Sequence, residues 1–90
     1  MSVTPSELQQ MVESELRWMF NWNTGDRVTV EDRPDEDVVR VVCNVGNMTL
    51  VFLWRAPATI FPLVRPGTEE GDTIIRMKDS LEQLLRGRAS

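Results

Sequence analysis

The sequence predicts an α+β fold within a single domain of residues 1–90. The predicted order is an N-terminal helix, a three- to four-stranded antiparallel sheet and a C-terminal helix. Three observations support this order: a helix-start motif near the N-terminus, a hairpin signature in the middle and a second helical periodicity near the end. A domain of this length buries only about 60 to 65% of the surface that its unfolded chain exposes. Its core is therefore modest, and association with another chain would supplement it.

The first helix is indicated by the motif Thr-Pro-Ser-Glu at residues 4–7. Thr4 suits the N-cap position, and Glu7 follows three residues later, as in a capping box. Proline at the first helical position is also favoured. The pattern predicts a helix that runs to about Asn21 or Trp22, before the polar and glycine-containing stretch that follows.

The apolar side chains of this first helix cover an unusually wide arc. At about 100° per residue they span roughly 200° of a helical wheel, and they are Leu8, Met11, Val12, Leu16, Trp18, Met19, Phe20 and Trp22. One sheet cannot cover such an arc. We expect Leu16 and Phe20 to face the domain's own sheet. We expect Trp18 and Trp22 to contact a second protein chain, because tryptophan is common at such interfaces.

Glu15 falls near the middle of the apolar arc, between Trp22 and Leu8 on the wheel. An unpaired buried carboxylate costs several kcal/mol, so this position requires a partner or water. An arginine of a partner chain or of the sheet would neutralise it. The alternative interpretation is a catalytic acid, which would act with an arginine in a pocket.

The central strands carry the clearest signature in the chain. Residues 27–31 alternate as a strand with one buried face, and an acidic turn over 31–37 follows them. Residues 38–55 then form a hairpin around Gly46-Asn47, a loop that suits a type II′ turn. The predicted register pairs Val45 with Met48, Cys43 with Leu50, Val41 with Phe52, and Val39 with Trp54. Residues 58–65 form a possible fourth strand, which prolines restrict to an edge position.

The two faces of this hairpin differ in composition. One face is wholly apolar, whereas the other carries Val38, Arg40, Val42, Asn44, Thr49, Val51, Leu53 and Arg55. This mixed set is too apolar for a freely solvated face and too polar for a dry core. We expect Arg40, Leu53 and Arg55 to contribute to partner binding. A simpler role for Arg40 is a cross-strand ion pair with Glu31.

The final helix is predicted to begin at Asp72 or Thr73 and to end near Arg86, with Gly87 as its stop. Its apolar residues occupy an arc of about 100°, the width that packs against one surface, and they are Ile74, Met77, Leu81, Leu84 and Leu85. Acidic residues four positions before arginines, at 72 and 76 and at 82 and 86, mark its predicted solvent side.

The sequence offers little chemistry for catalysis or for a cofactor. Histidine is absent, which removes the commonest general base and the usual catalytic zinc ligand. The single Cys43 lies on the apolar hairpin face, where we expect a core residue. The acidic turn lacks the ligand spacing of a calcium loop, and the acidic loop at 67–72 lacks the lysine of a phosphate-binding loop. We therefore predict no catalytic, cofactor or metal site.

The net charge of −4 disfavours nucleic acid as a partner, and no segment has the roughly 20 apolar residues of a membrane span. Without a signal-peptide pattern, the expected location is the cytoplasm. The leading hypothesis is a non-enzymatic protein–protein interaction module that forms a homodimer and binds another protein, as an adaptor, an inhibitor or a secretion-type chaperone. The alternatives are a small enzyme or ligand-binding domain using Glu15 and an arginine, and an RNA-binding module using the Arg40 and Arg55 face.

Overall fold

The computed structural model describes residues 3–89 and confirms the predicted α+β order. Its elements are α1 (Pro5–Met19), β1 (Arg27–Arg33), a short 3-10 helix (Pro34–Glu36), β2 (Val38–Val45), β3 (Met48–Arg55), β4 (Thr59–Pro62) and α2 (Glu69–Ala89). The four strands form one antiparallel sheet in the order β1-β2-β3-β4. Each strand therefore pairs with its neighbour in the sequence.

Helix α1 begins as the sequence predicts and ends earlier. Thr4 Oγ1 accepts a hydrogen bond from the Glu7 N–H (3.1 Å), and Glu7 Oε1 accepts one from the Thr4 N–H (3.2 Å). The bond from the Thr4 backbone holds the pKa of Glu7 below its ordinary value. The helix ends at Met19, and Phe20 is already extended with φ −135°. The prediction that the helix continues to Asn21 or Trp22 is therefore wrong.

The hairpin has the predicted register throughout, from Val45 opposite Met48 to Val39 opposite Trp54. Gly46 has φ +58°, a conformation that glycine adopts without strain. Among the non-glycine residues of the described chain, positive φ occurs at Asp37 and not in this loop. Positive φ at the first loop position alone is the pattern of a type II′ turn. Asp26 Oδ1 also accepts a hydrogen bond from the Gly46 N–H (3.1 Å), which ties the turn to the start of β1.

Helix α2 is longer than predicted at both ends. Thr68 Oγ1 accepts a hydrogen bond from the Gly71 N–H (3.0 Å), so Thr68 acts as the N-cap in place of Asp72 or Thr73. The helix also continues through Gly87, which does not have the positive φ of a C-terminal stop. Leu84, predicted to be buried, is 48% exposed. Glu82, predicted to lie on the solvent side, is only 7% exposed.

Both helices pack on the same face of the sheet and enclose the core. Helix α1 lies over β1 and β2, and α2 lies over β3 and β4. The buried residues include four of the five apolar α2 positions, Leu16 of α1 and the apolar hairpin face, namely Val39, Val41, Cys43, Val45, Leu50, Phe52 and Trp54. Phe20 is half-buried against the same core, so Leu16 and Phe20 both face inward as predicted.

Candidate protein-binding surface

The face of the sheet opposite the helices is uncovered by any element of residues 3–89. We call it the open face. Strand alternation and the register place Arg40 beside Leu53 and Leu53 beside Phe61 in one row, and Val42 beside Val51 in the next. Leu63 extends the second row, because its N–H donates a hydrogen bond to the Val51 carbonyl (2.8 Å). The open face is therefore a continuous surface of four strands.

An apolar stripe runs across the centre of the open face. It consists of Val42, Val51, Leu53, Phe61 and Leu63. Val42, Val51 and Leu53 are half-buried, whereas Phe61 is 42% exposed and Leu63 is 51% exposed. Contiguous exposed apolar surface of this kind is uncommon on monomeric proteins and typically marks a contact with another molecule.

Arginines surround this stripe. Arg40 lies 3.7 Å from Glu31 Oε2, as the cross-strand interpretation predicts, and Arg33 lies 2.9 Å from Glu31 Oε1. The Arg55 guanidinium lies 5.6 Å from the centre of the Phe61 ring, within the range of a cation–π contact. With Arg27, the face holds four arginines against one glutamate, a charge of +3. The remainder of the chain therefore carries −7, because the net charge is −4.

Of the residues predicted to bind a partner, the structure brings Arg40, Leu53 and Arg55 together on the open face. The other three, Glu15, Trp18 and Trp22, lie with the helices on the opposite side.

Trp22 and Trp18 do not form one flank of a helix, because Trp22 lies beyond the end of α1. Trp22 packs half-buried against the core, and the Arg17 guanidinium covers its ring at 4.6 Å. Trp18 remains on the helix and is 86% exposed. The wide apolar arc deduced from a continuous helix is thus divided: Trp22 contacts the domain itself, and contact of Trp18 with a partner stays a prediction.

Glu15 lies where α1 meets α2 and is half-buried. Its Oε1 accepts a hydrogen bond from Ser80 Oγ (3.2 Å), so its observed partner is a serine and not the expected arginine. Arg88 lines the same hollow of about 190 Å³ but lies 3.5 Å from Glu7 Oε2. Ligand pockets usually measure about 300 to 1,000 Å³. The geometry therefore gives little support to an enzyme or small-ligand site at Glu15.

The β4 edge of the sheet has no backbone donor free for a further strand. The bond from Leu63 to Val51 shows that residues 59, 61 and 63 direct their backbone groups toward β3, so residues 60 and 62 direct theirs outward. The Ile60 N–H donates to Glu82 Oε2 (2.9 Å), and Pro62 has no N–H. Lys78 and Arg86 lie 3.4 and 3.7 Å from the same carboxylate. This edge is closed to strand addition.

Sequence reasoning missed Phe61, Leu63 and Glu82. Phe61 and Leu63 reach the open face because β4 pairs with β3, and the prolines around this segment left that pairing open in the sequence. The signal for Glu82 is weaker, because a glutamate four residues before an arginine is usually a solvated pair. Cys43 is buried as predicted. The acidic turn predicted over 31–37 is shorter than expected, because residues 31–33 belong to β1 and Pro34–Glu36 form the short 3-10 helix. The absence of tight metal binding there stays a prediction.

Within the described residues, neither helix combines the length and apolar content needed to cross a lipid bilayer. Comparison of the chain with known protein families, curated proteins and solved structures finds no match.

Proposed function

We propose that the chain is a non-enzymatic protein–protein interaction module, in the class of adaptors, inhibitors and secretion-type chaperones, and that its partner protein binds on the open face. The observation that carries this proposal is the uncovered apolar stripe of Val42, Val51, Leu53, Phe61 and Leu63. Both helices pack on the other side of the sheet and leave this stripe without a cover from residues 3–89.

The composition of the open face matches the anatomy of a protein interface. Such interfaces have an apolar centre, a polar rim and an enrichment of arginine relative to lysine. Here the basic residues of the rim are all arginines, and Arg40 and Arg33 are already oriented by Glu31. Because the face is +3 and the remainder of the chain is −7, the partner surface that fits best is apolar with acidic residues around it.

A protein partner fits the open face better than RNA does. Sheets that bind single-stranded RNA stack its bases on two or three aromatic side chains. The open face offers one aromatic residue, Phe61, and the Arg55 guanidinium already contacts its ring. The neighbouring side chains, Val51 and Leu53, are aliphatic and match apolar protein side chains better than they match nucleobases.

Site-specific crosslinking tests this proposal. A photoreactive amino acid placed at Leu53 should crosslink a protein in native lysate, and nuclease treatment should leave the product unchanged. The matched control is the same residue placed at Ile75, which is 53% exposed on α2. The product should appear from position 53 and not from position 75. Equal products from both positions, or a nuclease-sensitive product, would contradict the proposal, and the second result would favour RNA.

A combined Val51→Thr, Leu53→Thr and Phe61→Thr variant provides the loss-of-binding arm. Threonine retains a preference for strands while it removes most of the apolar stripe. We expect the crosslink from an introduced photoreactive residue at Val42 to disappear. The free energy of unfolding should change by only about 1 kcal/mol, because these side chains are outside the core.

A further inference from the structure

The β1 edge of the sheet differs from the β4 edge, because it presents backbone groups outward along a seven-residue strand. Val45 and Met48 flank a two-residue loop and exchange both of their backbone hydrogen bonds. By alternation, residues 38, 40, 42 and 44 bond to β1, and their partners are residues 33, 31, 29 and 27. Val28, Val30 and Asp32 therefore direct their N–H and C=O groups away from the sheet.

One of these outward groups has a side-chain partner. Gln9 Nε2 donates a hydrogen bond to the Val28 carbonyl (2.8 Å), which confirms that this carbonyl points out of the sheet. A carbonyl oxygen has two lone pairs, so it can accept a second hydrogen bond while Gln9 remains in place. The contact with Gln9 therefore leaves the Val28 carbonyl able to accept a hydrogen bond from another strand.

The sequence of this edge is complementary to itself. Residues 27–31 read Arg-Val-Thr-Val-Glu. When two copies run antiparallel with Thr29 opposite Thr29, Arg27 of each copy faces Glu31 of the other. Val28 of each copy then faces Val30 of the other copy, on the sheet face opposite to the one that carries Arg27 and Glu31. Opposite charges, paired threonines and paired β-branched residues are the cross-strand combinations that stabilise antiparallel pairs.

We propose that two copies of the chain associate by antiparallel pairing of their β1 edges about Thr29, which joins two four-stranded sheets into one of eight strands. In this register Val28 and Val30 exchange backbone hydrogen bonds with their counterparts, so the outward groups of these two residues are used in both copies. Arg27, Thr29 and Glu31 are all exposed and accessible for this contact.

Two shifted registers, centred on Val30 and on Glu31, are disfavoured by charge. A shift that centres the pairing on Val30 places Arg27 opposite Arg33, and a shift that centres it on Glu31 places two glutamates opposite each other. Like charges directly opposite in a sheet are destabilising. A symmetric dimer through the open faces would likewise bring together two surfaces of charge +3. These like charges therefore disfavour both shifts and a dimer through the open faces.

A charge-exchange experiment tests the pairing by analytical ultracentrifugation over a concentration series. Arg27→Glu alone and Glu31→Arg alone should each weaken dimerisation roughly tenfold or more, because each variant opposes like charges twice. An equimolar mixture of the two variants should restore it as a heterodimer, because both interchain pairs are then of opposite charge. Arg76→Glu, an equal charge change on α2, should leave the dimer unchanged.

Two further variants keep the test decisive if Glu31→Arg fails to fold beside Arg33 and Arg40. Val30→Pro removes an N–H that points outward and takes no part in pairing with β2, so it should abolish dimerisation while circular dichroism remains that of the wild type. Trp18→Arg should leave the dimer intact. A wild-type protein that is still monomeric at about several hundred micromolar would overturn the proposal. The proposal would also be wrong if Trp18→Arg dissociates the dimer while Val30→Pro leaves it intact.

Discussion

Glu82 shows how one side chain can serve both the core and the edge of the sheet. Its carboxylate accepts a hydrogen bond from the Ile60 N–H at 2.9 Å, while Lys78 and Arg86 from the preceding and following turns of α2 compensate its charge. A buried carboxylate is tolerated under these conditions because both its charge and its lone pairs have partners. The contact also fixes the position of β4 against α2.

Removal of this carboxylate should destabilise the protein more than its neutralisation does. Glu82→Ala leaves the Ile60 N–H without its acceptor, which should lower the free energy of unfolding by about 1 to 3 kcal/mol. Glu82→Gln retains an acceptor oxygen and should cost less. Urea denaturation of the three proteins measures the difference. Equal losses for both variants would show that the charge matters more than the hydrogen bond.

Cys43 gives the protein a defined response to alkaline pH. Burial raises the pKa of the thiol from 9.0 to about 12. Between these pKa values the unfolded chain loses the thiol proton while the folded chain retains it. The contribution of Cys43 to the free energy of unfolding is therefore fully present below pH 9 and decreases as pH rises toward 12. The decrease should reach up to about 1.4 kcal/mol per pH unit.

Comparison of wild type with Cys43→Ala isolates this effect. The chain contains no tyrosine, so few other side chains titrate in the same range. The difference in unfolding free energy between the two proteins should change with pH only above pH 9. The folded thiol should also resist alkylation at pH 8 and react after denaturation. A constant difference between the proteins across the alkaline range would show that the thiol titrates alike in both states.

At the scale of elements, the two glycines of α2 have opposite surroundings. A methyl group added at Gly71 would collide with the Arg65 carbonyl, whereas one added at Gly87 meets no atom within 4 Å. Gly71→Ala should therefore destabilise the protein by about 1 to 3 kcal/mol. Gly87→Ala should stabilise it by up to about 1 kcal/mol, because alanine has the higher helix propensity. Thermal denaturation should show shifts of opposite sign, and shifts of the same sign would contradict this geometry.

The accuracy of sequence reasoning varied with the range of the interactions involved. The hairpin register was predicted in full because a two-residue loop determines it locally. The end of α1 was not, because no local signal distinguishes Met19 from Trp22. Beyond the helix end, Trp22 packs against the core beneath Arg17, a tertiary contact that helical periodicity does not encode. The start of α2 was missed because Thr68, Asp72 and Thr73 are all acceptable N-caps.

The candidate surface was predictable to a similar extent. Arg40, Leu53 and Arg55 follow from hairpin alternation alone, so the sequence placed them on one face. Phe61 joins them only through pairing with β3, which is a contact that local propensity does not encode. The choice of which face is open also required tertiary structure, because it depends on both helices packing over the same side of the sheet.

At the scale of the whole molecule, charge is separated between the two layers. The open face is positive, whereas the remainder of the chain, which includes both helices and the acidic turn, is strongly negative. Antiparallel pairing about β1 relates the copies by a two-fold axis perpendicular to the sheet, so their open faces lie on the same side. The proposed dimer would therefore present one continuous surface of twice the width, with both helix layers behind it.

The closure of the β4 edge has a consequence for stoichiometry. A sheet with two open edges can add copies indefinitely and grow into a fibre, whereas a sheet with one open edge terminates growth at the first addition. Because Glu82 and Pro62 leave β4 without an outward donor, the proposed pairing through β1 would use the remaining edge of each copy, and assembly would stop at two. Pro62→Val combined with Glu82→Ala should relax this limit, because both changes leave an outward N–H free. Light scattering should then detect species larger than the dimer, and the addition of Val30→Pro should prevent them from forming.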